Sequence, residues 1–207
     1  MCYHTQQLTS KENLEKRLNG KVIKPELFLQ SDVINGFTYP NIPIVLNSNF
    51  DEIVTDFSWG LLPIWAKDAT FRKNTLNAKV ETISEKPSFK NNLNNRCLIA
   101  ATSFFEWRWL DKKGKKKQKY QIFTEDETFC FAGLFDIHLD AVSGKEIKTF
   151  TMLTTVANET MQFIHNHKKR MPIILDKKDE QNWLEGLHPI ADYAFPYSSK
   201  LIAFEVD

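Results

Sequence analysis

A cysteine stands directly behind the initiator methionine. Once Met1 is removed, Cys2 carries a free α-amine and a thiol on adjacent carbons. Such a 1,2-aminothiol does chemistry denied to an internal cysteine. The amine condenses with an aldehyde to give an imine, and the thiol closes onto the imine carbon to give a five-membered thiazolidine. Both groups titrate near neutrality, at roughly 8.5 for a thiol and about 7.7 to 8.0 for an α-amine. Modest tuning therefore leaves an unprotonated amine available. Position alone favours an incidental cysteine; the rest of the chain changes that balance.

Three further segments carry residue types that folding alone would not choose. Trp59-Gly60-Leu61-Leu62-Pro63-Ile64-Trp65 is followed by Asn77-Ala78-Lys79-Val80-Glu81-Thr82. Arg96-Cys97-Leu98-Ile99 runs on to Phe104-Phe105-Glu106-Trp107. Thr154-Thr155-Val156-Ala157-Asn158 leads to Ile164-His165-Asn166-His167 and Arg170-Met171-Pro172. With Cys2, these blocks resemble the SRAP family (SOS-response-associated peptidase-like proteins), whose members crosslink to abasic sites in DNA. The pattern of a second-residue Cys, WGLxPxW, NARxET, RCLxP, YEW, TxxAN and IHxRMPxIL is met in order from residue 2 to residue 175. No single block is specific, but the ordered set is.

The resemblance implies that the amine of Cys2 attacks C1′ of a ring-opened abasic deoxyribose and that the thiol then closes the thiazolidine. Glu106 matches the family's acidic residue, which moves protons during ring opening and water loss. Its neighbours Phe104, Phe105 and Trp107 should desolvate it and favour the protonated form. Strand alternation, however, puts Phe105 and Trp107 on the opposite face, so a surface glutamate stays open on the residues alone. His165 matches the family histidine, able to donate and accept a proton near pH 7. Family members place Arg two residues after it, whereas here Asn166-His167-Lys168-Lys169 precede Arg170, which makes His167 the alternative. Asn77 matches the amide beside the cysteine; a turn asparagine is its ordinary alternative. Lys79 replaces an Arg, and with Arg170 it is a candidate phosphate ligand. Trp65 and Trp107 match aromatics that stack beside the lesion, while Trp59 belongs to the core. His4 stands where the family has Arg, Phe105 where it has Tyr.

The implied partner is single-stranded DNA with abasic sites, which needs no base flipping. Lyase activity, crosslink reversal and autocatalytic Met1 removal are further implications. An N-terminal-nucleophile peptidase or amidase and a non-covalent single-strand binder are the alternatives. No cofactor is implied, and His165 and His167 lack further partners in sequence for a metal. No stretch reaches the roughly 18 apolar residues of a membrane helix. No basic-then-apolar leader precedes the domain. Three cysteines without a CxxC pair fit a reducing cytoplasm. A net charge of +1 rules out a globally basic nucleic-acid binder, so any such case rests on local patches such as Lys112–Lys119. That run is read first as a solvated hairpin tip around Gly114.

These residues need a scaffold. At 207 residues the chain is expected to be one domain, 1–207, acting as a monomer. Strand-like runs fall at 42–46, 53–59, 97–101, 104–110, 120–123, 128–135, 147–155, 171–175 and 201–206. Helices are expected at 10–18, capped by Ser10, and at 176–187, capped by Asp176; a short one is expected at 87–94. Strands outnumber helices without βαβ alternation. The expected fold is α+β, a mostly antiparallel, barrel-like β core with a few short flanking helices.

Overall fold

The computed structural model of the chain describes residues 2–140 and 143–207. The fold is α+β, built on antiparallel-rich sheet that curls into a half-barrel. One sheet has five strands in the order Ile202–Val206, Lys117–Phe123, Ser103–Trp109, His4–Gln7, Ser31–Asn35, all antiparallel. The main path of the larger sheet runs Arg170–Pro172, Glu146–Val156, Phe129–Leu139, Arg96–Ala101, Ile44–Leu46, Asn49–Val54, Lys21–Ile23. Asn77–Lys79 and Ser58–Trp59 join Glu146–Val156 in parallel.

Side-chain alternation explains why the central strands read as unbroken apolar runs. In Arg96–Ala101, Cys97, Ile99 and Ala101 enter one core cluster while Leu98 and Ala100 enter another. Both faces are covered, so period two is invisible in the sequence. The first cluster holds Phe104 edge-to-face against Phe131, Trp59 stacked on Phe150, and Cys2. The second lies under the helices, with Leu14 and Trp183 buried against Leu98, Ala132 and Leu134. Gly133 sits where the sheet is tightest: a Cβ there would lie 2.7 Å from Ile99 Cδ1 and 2.9 Å from the Thr151 carbonyl oxygen. Since backbone cannot yield as a side chain can, Gly133→Ala is expected to cost about 1–3 kcal/mol, read as a lowered denaturant midpoint at unchanged m.

The helix after the first strand is Lys11–Leu18; Ser10 Oγ accepts from Asn13 N at 3.3 Å, and Asn19 closes it in the left-handed region. Three expectations change. Residues 87–94 form turns rather than a helix, and the Asn92 side chain donates to the Phe135 carbonyl instead of facing solvent. The 53–59 run divides because Thr55 Oγ1 donates to the carbonyls of Ile23 and Lys24, and the chain then crosses to pair Ser58–Trp59 with another strand. The 176–187 segment is a 3₁₀ turn, Lys177–Asp179, continued by the helix Glu180–Glu185, and Asp176 makes no side-chain cap. Its carboxylate accepts from Ser199 Oγ at 2.7 Å instead.

Candidate active site

Cys2 lies two residues before the strand His4–Gln7, which is wedged between Ser103–Trp109 and Ser31–Asn35. That placement buries Cys2 completely, with its Sγ donating weakly to the His4 carbonyl at 3.6 Å. Burial pushes the thiol well above its ordinary range, and the nearby Glu106 carboxylate pushes it further. Met1 lies outside the described residues, so its removal is a matter of chemistry rather than geometry.

Asn77 lies on the short strand that runs parallel to Glu146–Val156, opposite Met152. Its Nδ2 donates to the Cys2 carbonyl at 2.8 Å. Its Oδ1 is buried and, among the described residues, without a hydrogen-bond partner. An amide held this way fixes the Cys2 backbone and keeps an acceptor beside it. Lys79, two residues further on the same strand, is exposed.

Glu106 is 5% exposed. It shares a strand face with Phe104, which anchors that face in the core, while Phe105 and Trp107 point the other way as alternation requires. His165 arrives from a different direction, as the C-terminal cap of the helix Glu159–Ile164, whose own start is capped by Asn158 accepting from Met161 N. Its Nε2 lies 3.9 Å from Glu106 Oε2. Its Nδ1 lies 2.8 Å from the Arg170 carbonyl and 3.4 Å from the Arg170 N–H. The shorter contact requires a proton on Nδ1, which leaves the Nε2 lone pair facing Glu106. Burial lowers the His165 pKa, and Glu106 offsets this in part. The imidazole is therefore neutral near pH 7, poised to exchange a proton with the carboxyl. His167 is exposed and stacks on Trp109, so the histidine beside Glu106 is His165.

The guanidinium of Arg170 is already engaged. It donates to Glu81 Oε1 at 2.7 Å, to Glu81 Oε2 at 2.9 Å and to the Thr154 carbonyl at 2.7 Å. The residue holds His165 through its own carbonyl, so its geometry is that of a positioning group. Sequence reasoning misses Glu81 as a site residue. The signal lies in the same block as Asn77 and Lys79, because an arginine drawn into a sheet needs a carboxylate. Burial alone would push the Glu81 carboxyl up, and the Arg170 hydrogen bonds and charge, together with backbone N–H donors, more than reverse that. A carboxyl whose pKa is lowered on folding stabilises the fold above the ordinary value of about 4.3 and loses that contribution as the pH falls through the lowered value. Glu81 is 39% exposed at its side chain, which moderates the effect. Glu81→Gln is expected to lower Tm at pH 7 by about 2–4 °C, equivalent to roughly 1 kcal/mol, with the gap closing in acid.

The aromatic candidates differ in setting. Trp107 is half-buried, edge-to-face with His4 at 4.9 Å. Trp65 is 49% exposed, packed edge-to-face on Phe71, and available to a ligand's flat face. Trp59 is fully buried and donates to the Leu76 carbonyl at 2.7 Å, as a core residue does. Among the described residues, no group of three or more His, Cys, Asp or Glu side chains is placed to hold a metal ion. No described helix is long and apolar enough to cross a membrane.

A buried second-residue cysteine joined to an amide, a carboxyl and an imidazole within a curled sheet defines a class. Residues 1–206 match the family model described as SOS response associated peptidase (SRAP), and the chain belongs to that family. It is 38% identical over 154 residues to the abasic site processing protein YoqW of Bacillus subtilis (strain 168), covering 74% of this chain and 66% of that one. It is 30% identical over 160 residues to the abasic site processing protein HMCES of Gallus gallus, covering 65% of this chain and 46% of the relative. The match thus spans just under two thirds of the bacterial relative's length and under half of the avian one's. A crystal structure of a Bacteroides thetaiotaomicron protein superposes with a TM-score of 0.88 at 32% identity, over 100% of this chain and 92% of that one.

Proposed function

We propose that this chain captures abasic sites in single-stranded DNA as a covalent adduct through Cys2. The observation that carries the reading is the meeting, at one buried spot, of Cys2, Asn77, Glu106 and His165 from four separate segments. The names of the relatives point to the same substrate class. With Met1 gone, the α-amine of Cys2 adds to the C1′ aldehyde of the opened sugar. Loss of water gives the imine. The thiol then adds across the C=N bond: sulfur bonds to C1′, and the thiol proton passes to nitrogen. Glu106 and His165 supply and remove the protons that the carbinolamine and the departing water require. Asn77 holds the Cys2 carbonyl so that amine and thiol face the same carbon.

Burial favours this order of events over acyl transfer. A peptidase needs a thiolate at the first step, and this thiol is held well above neutrality. Imine formation needs only an unprotonated amine. A single strand suits the site because an abasic nucleotide there is already unstacked, and the half-exposed Trp65 and Trp107 can stack on flanking bases.

The test is a denaturing gel of Met1-processed protein incubated with a single strand carrying one abasic site. A slow band that survives heat and carries the mass of protein plus DNA is the expected result. A Met1-free protein, confirmed by intact mass, that gives no such band would sink the proposal and leave acyl transfer or non-covalent binding.

A further inference from the structure

The strand Ser103–Trp109 outruns its neighbour. His4–Gln7 begins opposite Phe105, so Trp107 and Trp109 have no strand on that side. The Asn166 side chain fills the gap at Trp109: the Trp109 N–H donates to Asn166 Oδ1 at 3.0 Å, and Asn166 Nδ2 donates to the Trp109 carbonyl at 2.9 Å. This clamp fixes the loop that lengthens the spacing between His165 and Arg170. It also lays the exposed His167 ring flat on the Trp109 indole, at a centroid distance of 3.7 Å and an interplanar angle of 9°.

Cations surround the pair. Lys117 lies across the strands from Trp109, its Nζ 5.6 Å from the ring centroid. The turn beyond presents Lys113, Lys115 and Lys116 to solvent. Among the described residues Asp111 forms no ion pair with them; its carboxylate accepts from the backbone N–H groups of Lys113 and Lys115. Lys168 is exposed on the His167 side. Among the described residues none of these five lysines is in an ion pair. Lysines alone would be explained by protection of a sheet edge. An exposed imidazole laid flat on a half-buried indole, held by two hydrogen bonds and flanked by unpaired cations, adds what edge protection does not require. Aromatic faces for bases beside cations for phosphates are the combination that single-stranded nucleic acid selects.

We infer that the Trp109–His167 stack and its lysines form a second contact for single-stranded DNA, distinct from the lesion site. Trp109 lies two residues along the strand from Trp107 and on the same face, about 7 Å at the usual rise, so a strand that stacks on Trp107 reaches it within its flank. The inference rests on the proposed DNA reading for why a strand is present, and its test is independent of the covalent step.

Non-covalent binding is measured by fluorescence anisotropy on unmodified single strands of about sixteen and about four nucleotides, the range of single-strand site sizes. The proteins are the parent, His167→Ala, and a variant combining Lys113→Gln, Lys115→Gln and Lys116→Gln. Trp109 is left intact because Gly114 packs against it, a Cβ there lying 2.6 Å from the indole. Loss of the imidazole platform is expected to weaken binding of the longer strand by about tenfold. The lysine variant should flatten the dependence of log affinity on log salt by about 0.7 for each phosphate that the lysines no longer neutralise. Crosslinking of a four-nucleotide abasic strand should be unchanged in both. Parent-like affinity and salt slope on the longer strand in both variants would overturn the inference. So would an equal loss on the short abasic strand, which would place these residues at the lesion itself. Failure of the parent to crosslink would count against the covalent mechanism and leave the anisotropy result standing.

Discussion

A Cys2→Ser chain is expected to give an adduct that borohydride traps and that heat otherwise destroys. Serine is small enough to let Met1 be removed and keeps the α-amine, so imine formation survives. The hydroxyl is a far poorer nucleophile toward the imine carbon, and ring closure is lost. The parent differs because its sulfur is fixed in place: Cys2 is fully buried, and Sγ is oriented by the His4 carbonyl. Burial and Glu106 keep that sulfur as S–H, so closure delivers both the sulfur and a proton for the ring nitrogen. Cys2→Ala should behave as the serine variant does, and a chain retaining Met1 should give neither trapped nor stable adduct. A heat-stable band from the serine variant would show that the thiol is not the closing group. Equal trapping with Met1 retained would move the amine away from Cys2, to the Met1 α-amine or to a lysine.

What was legible in the sequence had local causes. Ser10 reads as a helix cap because the cap bond spans three residues, and it is made. Gly114 reads as a turn because its φ of +64° is one that few other residues adopt without strain. The α+β class follows from many short β-rich runs, and the larger sheet is built from them. The site blocks were readable only as a resemblance, since nothing in residues 2, 77, 106 and 165 taken separately says that they meet. What was not legible was decided by distant partners. His4–Gln7 is a strand because it pairs with Ser103–Trp109 on one side and Ser31–Asn35 on the other, and Ser31–Asn35 because it pairs with His4–Gln7, not through propensity. Asn77–Lys79 is a strand because Glu146–Val156 offers it a parallel edge. The phosphate role read for Arg170 meets a guanidinium already committed to Glu81, 89 residues away in the chain. The added residues between His165 and Arg170 look like a bare insertion until Asn166 is seen clamping the edge at Trp109.

Glu106→Gln is expected to slow crosslinking by about a hundredfold while leaving affinity for unmodified single strands near that of the parent. The amide keeps the shape and the core contact of the strand but can neither accept nor release the proton that water loss requires. The partner histidine supplies a readout that a merely structural role would not move. Burial holds His165 below its ordinary 6.5 or so, and the Glu106 carboxylate pulls it partway back. Removing that charge should therefore lower the His165 pKa further, visible as a more acidic NMR titration of the imidazole. The parent rate should fall as the pH drops through the lowered His165 value, because protonation consumes the Nε2 lone pair that faces the carboxyl. In Glu106→Gln this acid limb should move to lower pH along with the titration, beneath a reduced plateau. His165→Gln should remove the His165 component of that limb and leave only the fall caused by protonation of the Cys2 α-amine. A Glu106→Gln chain that crosslinks at the parent rate, or a His165 titration that stays where it was, would mean that the 3.9 Å pair does not share a proton and that water alone serves the imine.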